Sequence, residues 1–205
     1  GGARMDYEVL RYFTECWCSD DTDPYERLYI QWSLSKFFPT KTMGSHVTNW
    51  NRRASVKFRT DVCSSCKLGF DIDLKSLSEN DYKFVQQAVK NYNDLKPVIL
   101  EGDQYRLVSP YETDHCAINY VSKDKQRAVL FAYDLHPRYK EPPMNVRLQG
   151  LDPMKVYTVR ETNLMPGTKS HLECNGKQYS GDYLMKIGLN VLTANEGSSR
   201  VLVLE

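Results

Sequence analysis

Apolar positions in the first half of the chain change period repeatedly, from short β-like runs to helical spacing and back. Phe13 to Cys18 reads as a strand. Pro24 sits where a first helical turn tolerates it, and Tyr25, Leu28, Tyr29 and Trp32 mark one helical face that ends at Pro39. Thr42 to Val47 is a second short strand, followed by the loop His46-Val-Thr-Asn-Trp50. Arg53 to about Val62 fits another helix, and Lys67 to Ile72 a third strand. Ser78 then caps the clearest helix, with Tyr82, Val85, Val89 and Tyr92 on its expected buried side. Three strand–loop–helix units in succession predict parallel β/α architecture over residues 1–97.

After Pro97 the pattern changes. Short alternating runs recur at Ala128–Tyr133, Asn145–Leu148, Val156–Arg160 and Val201–Leu204. Turn signals separate them: Glu101-Gly-Asp103, Pro142-Pro143, Gly150, Pro166-Gly167, Asn175-Gly176 and Glu196-Gly197. This predicts an antiparallel β-sandwich over residues 98–205. The expected fold is therefore α/β plus all-β: the C-terminal part of a (β/α)8 barrel, then a β-sandwich. Three β/α units cannot close an eight-stranded barrel, so the remaining strands are expected upstream of Gly1. The opening Gly-Gly-Ala-Arg-Met-Asp reads as the start of a fragment, so the lack of a signal peptide says little.

Charge narrows the classes. Lys plus Arg number 27 and Asp plus Glu 26, with no basic block, which disfavours nucleic acid as a partner. No apolar run approaches the length that spans a membrane. Aromatics reach 12%, which suits stacking on sugars and equally suits a β-rich core. Six cysteines stand at 16, 18, 63, 66, 116 and 174. Cys63-Ser-Ser-Cys66 has half the spacing of a zinc site, but no second pair follows, so these read as free thiols and favour a reducing, cytoplasmic compartment.

Candidate chemistry concentrates in Trp17-Cys-Ser-Asp-Asp-Thr-Asp-Pro-Tyr-Glu-Arg27. There Asp20, Asp21, Asp23 and Glu26 lie between a strand and a helix. Acidic residues at such a junction serve as helix caps and first-turn charges. A carboxyl beside an apolar wall such as Trp17 is also suited to general acid work. Both readings stand on the residues alone.

A longer pattern tips the balance. Ser19-Asp-Asp-Thr-Asp23-Pro-Tyr-Glu-Arg27 fits Ser-Asp-x-x-Asp-x-x-x-Arg, and Gly1-Gly-Ala-Arg4 fits the second half of Cys-x-x-Gly-x-x-Arg. With Leu28-Tyr-Ile-Gln31, Met43-Gly-Ser-His-Val47 and Lys67-Leu-Gly-Phe-Asp71, the chain resembles the C-terminal part of the family 36 glycoside hydrolases, the α-galactosidases. The resemblance implies a retaining mechanism with Asp20 as general acid/base and Asp21 as its rival. Gly1, Gly2, Arg4 and Trp17 are candidates around the sugar, against an ordinary turn for the glycines, a loop-orienting role for Arg4 and barrel packing for Trp17. It places the nucleophile in a Lys-Trp-Asp motif, which this sequence lacks. Asp23 and Arg27 are expected to form a structural i,i+4 ion pair. His46 is expected to be a packing or loop residue, and the Cys63–Cys66 segment to lie on an outer helix away from the sugar.

The implied substrate is an α-galactoside oligosaccharide of the raffinose or melibiose type, with no metal or organic cofactor. The resemblance also implies self-association of the intact parent, and it implies that the fragment by itself is inactive. The alternatives are a transglycosylase of the same superfamily and a non-catalytic carbohydrate-binding fragment. Exposed aromatics on one face of the β domain would favour the binding fragment.

Overall fold

A computed structural model describes residues 6–50, 53–193 and 195–205. Local capping chemistry sets where its helices begin. Strand β1 (Cys16–Trp17) leads into helix α1 (Pro24–Leu34), whose N-cap is Asp23. The Asp23 carboxylate accepts the N–H groups of Tyr25 and Glu26, and Pro24 occupies the first turn, where its missing N–H is harmless. Strand β2 (Met43–Thr48) follows, then helix α2 (Val56–Ser64), capped by Ser55 accepting from Phe58 N at 3.1 Å. Strand β3 (Lys67–Asp71) leads to helix α3 (Glu79–Glu101), capped by Ser78. The three strands pair in parallel in the order β1-β2-β3.

Four expectations shift here. The first strand contracts to two paired residues, because Phe13, Thr14 and Glu15 lie exposed ahead of the ladder. The second helix starts at Val56 rather than Arg53, where Ser55 supplies the cap. Tyr82 is exposed, and Phe84 and Ala88 take its place on the buried stripe of α3. That helix also continues through the exposed Pro97 to Glu101, so residues 97 and 98 lie within it and the sheet type changes at Gly102. A Cβ on Gly102 would stand 2.3 Å from the Val98 carbonyl oxygen and 2.6 Å from that of Val121, so this junction requires glycine.

Beyond Gly102 come β4 (Asp103–Val108), β5 (His115–Val121), β6 (Ala128–Asp134), β7 (Val156–Thr162), β8 (Gln178–Ser180), helix α4 (Gly181–Lys186) and β9 (Ser198–Leu204). The strands form one six-stranded antiparallel sheet in the order β4-β5-β6-β9-β7-β8. The sandwich expectation needs correction, because among the described residues the layer facing this sheet is not a second sheet. It consists of irregular chain and α4, contributing Val146, Leu148, Leu151, Leu184, Leu189 and Val191. The expected strand Asn145–Leu148 is reduced to a single bridge from Val146 to Leu189. Pro142, Pro143 and Pro153 have no N–H to give a ladder, and Gly150 turns the chain with φ of 79°.

The sheet's other face packs on the helices. Leu28, Trp32, Phe58, Val62, Leu95 and Ile99 meet Tyr120, Phe131 and Tyr133 in one apolar cluster. Burial on both faces corrects the expected alternation at Ala128–Tyr133, which is a continuous apolar run. A buried polar latch joins the same layers. Asp61 of α2, fully enclosed, accepts from Asn163 Nδ2 at 2.8 Å and Ser199 Oγ at 2.7 Å and pairs with Lys57.

Candidate active site

The segment from Trp17 to Asp23 crosses the C-terminal ends of the parallel strands, the end where β/α enzymes carry their chemistry. Its shape follows from short side-chain-to-backbone bonds. Ser19 Oγ accepts Asp21 N at 3.1 Å, and Asp21 Oδ1 accepts Asp23 N at 3.0 Å. Asp21 and Asp23 are thus engaged in turning the chain and starting α1. Asp20 differs: its Oδ1 accepts the indole N–H of Trp17 at 2.9 Å, and its side chain reaches solvent.

Arg27 anchors the loop from beneath. Its fully buried guanidinium donates to the Ser19 carbonyl at 3.3 Å and to the Gly44 carbonyl at 2.9 Å, and it lies 5.6 Å from the Trp17 ring centre. Those bonds tie the acidic loop to β2. The expected Asp23–Arg27 relationship is therefore structural through other contacts, with Asp23 capping the helix and Arg27 bonding backbone carbonyls. Gln31 extends the network by bonding Arg27 Nε, Ser45 Oγ and Ser65 Oγ. The Cys63–Cys66 segment ends α2 and lines no part of the pocket above the strand ends; Ser65 reaches the loop's anchor only through Gln31. Burial pushes the Cys63 thiol up to about 11 and raises Cys66 too. Burial also raises Cys18 inside the loop, against the opposing charge of Arg27. All six thiols are buried and unpaired.

An open pocket of about 620 Å³ lies above the strand ends, lined by Trp17, Asp20, His46, Thr48, Trp50 and Asp71. Asp20 is the carboxylate of the acidic loop that lines it, and Trp17 forms part of its wall. Gly1, Gly2 and Arg4 lie outside the described residues. Several lining residues were not assigned to the site from sequence, His46 and Asp71 among them. His46 packs its ring against Trp17 with centres 4.6 Å apart, and Asp71 closes the end of β3. Their shared signal was position, at or near the C-terminal end of a parallel strand. Among the described residues no group of three His, Cys, Asp or Glu is arranged to hold a metal ion.

A carboxylate, an indole and an imidazole thus line one pocket over the ends of a parallel sheet, with an antiparallel β domain packed behind. Residues 1–102 match the family model described as Melibiase, and residues 115–204 match that of the Glycosyl hydrolase family 36 C-terminal domain. The chain belongs to glycoside hydrolase family 36.

It is 31% identical over 211 residues to a probable alpha-galactosidase G of Aspergillus terreus, covering 100% of this chain and 27% of that protein. It is 31% identical over 194 residues to alpha-galactosidase AgaA of Geobacillus stearothermophilus, covering 92% of this chain and 25% of that protein. The solved structure of an AgaA variant in complex with stachyose superposes with a TM-score of 0.87 at 30% identity, covering 100% of this chain and 27% of that one. Another AgaA variant, solved in complex with raffinose, gives 0.84 at 28% identity over 96% of this chain and 26% of that one. The chain thus spans about a quarter of the length of the relatives it matches.

Proposed function

We propose that this chain is the acid/base-bearing part of a retaining α-galactosidase that cleaves terminal α-galactosides of the raffinose or melibiose type. The observation that carries the proposal is the disposition of the acidic loop. Asp21 and Asp23 bond backbone N–H groups, while Asp20 faces an open pocket and is held by Trp17. The raffinose and stachyose bound to the Geobacillus relative support the same substrate class here.

In this reading the three parallel strands belong to a (β/α)8 barrel in the intact parent, and an earlier strand supplies the nucleophilic carboxylate. Asp20 gives its proton to the glycosidic oxygen as the bond from that oxygen to C1 of galactose breaks, and the nucleophile forms an ester to C1. Water then attacks C1, its proton passes to Asp20, and the ester breaks to free galactose and restore the nucleophile. Two displacements retain the anomeric configuration. The six unpaired thiols fit a parent that works in a reducing compartment. By the same likeness the parent self-associates.

A carbohydrate-binding role for the β domain finds less support, because its strand aromatics Tyr120, Phe131, Tyr133 and Tyr157 are fully buried, while Tyr105 and Tyr179 are half-buried and Tyr179 stacks on the exposed Tyr183. The reading is tested by proton NMR of the intact parent with p-nitrophenyl α-galactoside. Release of α-galactose first, followed by mutarotation, is expected. Initial β-galactose, or no release at all, contradicts it. A product carrying galactose on a sugar acceptor instead of free galactose would mark a transglycosylase.

A further inference from the structure

We propose that His46 is a positioning residue for this site, acting through Trp17 on Asp20, and that Gly69 exists to make room for it. The inference rests on the α-galactosidase reading above.

The strand register puts two rings over two glycines. Trp17 on β1 pairs with Gly44 on β2, and His46 on β2 pairs with Gly69 on β3. Each ring leans across the strand next to its own. A Cβ on Gly44 would meet the Trp17 ring at 3.6 Å, an ordinary contact. A Cβ on Gly69 would stand 2.2 Å from His46 Cδ2 and 2.4 Å from its Nε2, so no other residue fits beneath the imidazole as it lies. Glycine normally weakens a strand, and Gly69 does not have the positive φ that would call for it. The ring above it supplies the reason.

What the imidazole does from there is set by its neighbour. It meets the indole of Trp17 with ring centres 4.6 Å apart and planes inclined at 59°. The same indole directs its N–H to Asp20 Oδ1 at 2.9 Å. Two side-chain torsions fix where that N–H points, and the imidazole is one of the groups blocking rotation about them. The sequence of contacts is therefore Gly69, His46, Trp17, Asp20. If His46 moves, the indole loses a wall and the acid/base loses its alignment with the glycosidic oxygen. Effective proton transfer demands that alignment.

The test uses leaving groups of different need. Nitrophenolate departs from p-nitrophenyl α-galactoside with little protonation, whereas the sugar leaving from raffinose requires it. In the intact parent, kcat and KM are measured on both substrates for wild type, Gly69→Ala, His46→Ala, His46→Phe and Asp20→Ala. Gly69→Ala alters no group that faces the pocket and suits a strand backbone. It and His46→Ala are expected to lower kcat/KM on raffinose about tenfold or more and on the aryl galactoside less than about threefold. The raffinose loss should fall in kcat, with KM within about twofold. His46→Phe, which keeps a ring against Trp17, should recover most of the loss.

Equal losses on both substrates would overturn the inference, since a general loosening of the fold does not discriminate leaving groups. A rise in KM with kcat unchanged would also overturn it, and would make His46 a direct sugar contact. So would a His46→Phe variant as impaired as His46→Ala. Asp20→Ala separates the two levels of the argument. If it shows no raffinose-selective loss, the acid/base reading itself fails. If it does and Gly69→Ala does not, only the positioning role falls.

Discussion

Trp17 donates its indole N–H to Asp20 at 2.9 Å, three positions along the same loop. This one bond separates Asp20 from the other carboxylates of its loop. It comes from a side chain that also walls the pocket, so the acid is fixed relative to whatever the wall contacts. Trp17→Phe keeps the ring and removes the donor. A hydrogen bond to a charged group contributes about 2 kcal/mol, so kcat/KM on raffinose should fall roughly tenfold or more. Thermal stability should change little, and steady-state kinetics beside a melting curve checks both.

Asp21 supplies the contrast. Its carboxylate accepts the Asp23 N–H at 3.0 Å and so shapes the entry to α1. Asp21→Ala should cost about 1 kcal/mol of stability and only a few-fold in activity. A collapse of turnover to the level of Asp20→Ala would transfer the acid/base role to Asp21.

Asp61 holds the two sheets' layers together. It is fully buried and serves Lys57, Asn163 and Ser199 at once, while its carbonyl accepts from Tyr133 Oη at 3.0 Å. Asp61→Ala strands these partners in a dry interior and should destabilise the protein by about 3–5 kcal/mol in a urea titration. Asp61→Asn, which keeps an acceptor, should lose less.

The buried thiols predict alkaline weakening. Cys63 ionises ordinarily at 9.0 and burial raises it to about 11 in the folded protein. Below 9.0 the thiol is protonated folded and unfolded, so its contribution is whole. Between 9.0 and about 11 the unfolded thiol ionises while the folded one stays neutral, and stability falls by about 1.4 kcal/mol per pH unit. Cys66 and Cys116, also raised by burial, act in the same sense. Urea midpoints measured across that range should drop, and less steeply in Cys63→Ala.

Capping residues made much of the first half legible. Pro24 announces α1 by its fixed first-turn geometry, and Ser78 announces α3 because the cap is a local bond between a short side chain and a nearby N–H. Arg27 was visible as a motif position, but its burial was not, because nothing near it in sequence marks Ser19 and Gly44 carbonyls as its partners. Alternation likewise located strands without naming what covers them. Asn145–Leu148 carries the apolar positions of a strand, yet it closes the second core as irregular chain around Val146 and Leu148. β5 was missed although it is buried on both faces as β6 is, because the polar His115 and Asn119 interrupt its apolar run. His46 and Asp71 escaped assignment because a strand's end is functional only by its place among other strands, which tertiary structure alone supplies.

The most direct measurement concerns Asp20 in the intact parent. Asp20→Ala should leave the first step on p-nitrophenyl α-galactoside and cripple the second, with turnover falling about 10²–10⁴-fold. Azide, which needs no general base, should then restore rate by forming α-galactosyl azide of retained configuration. Near wild-type turnover in Asp20→Ala, or a crippled variant that azide rescues only as the β-anomer, would contradict the assignment of Asp20 as the acid/base.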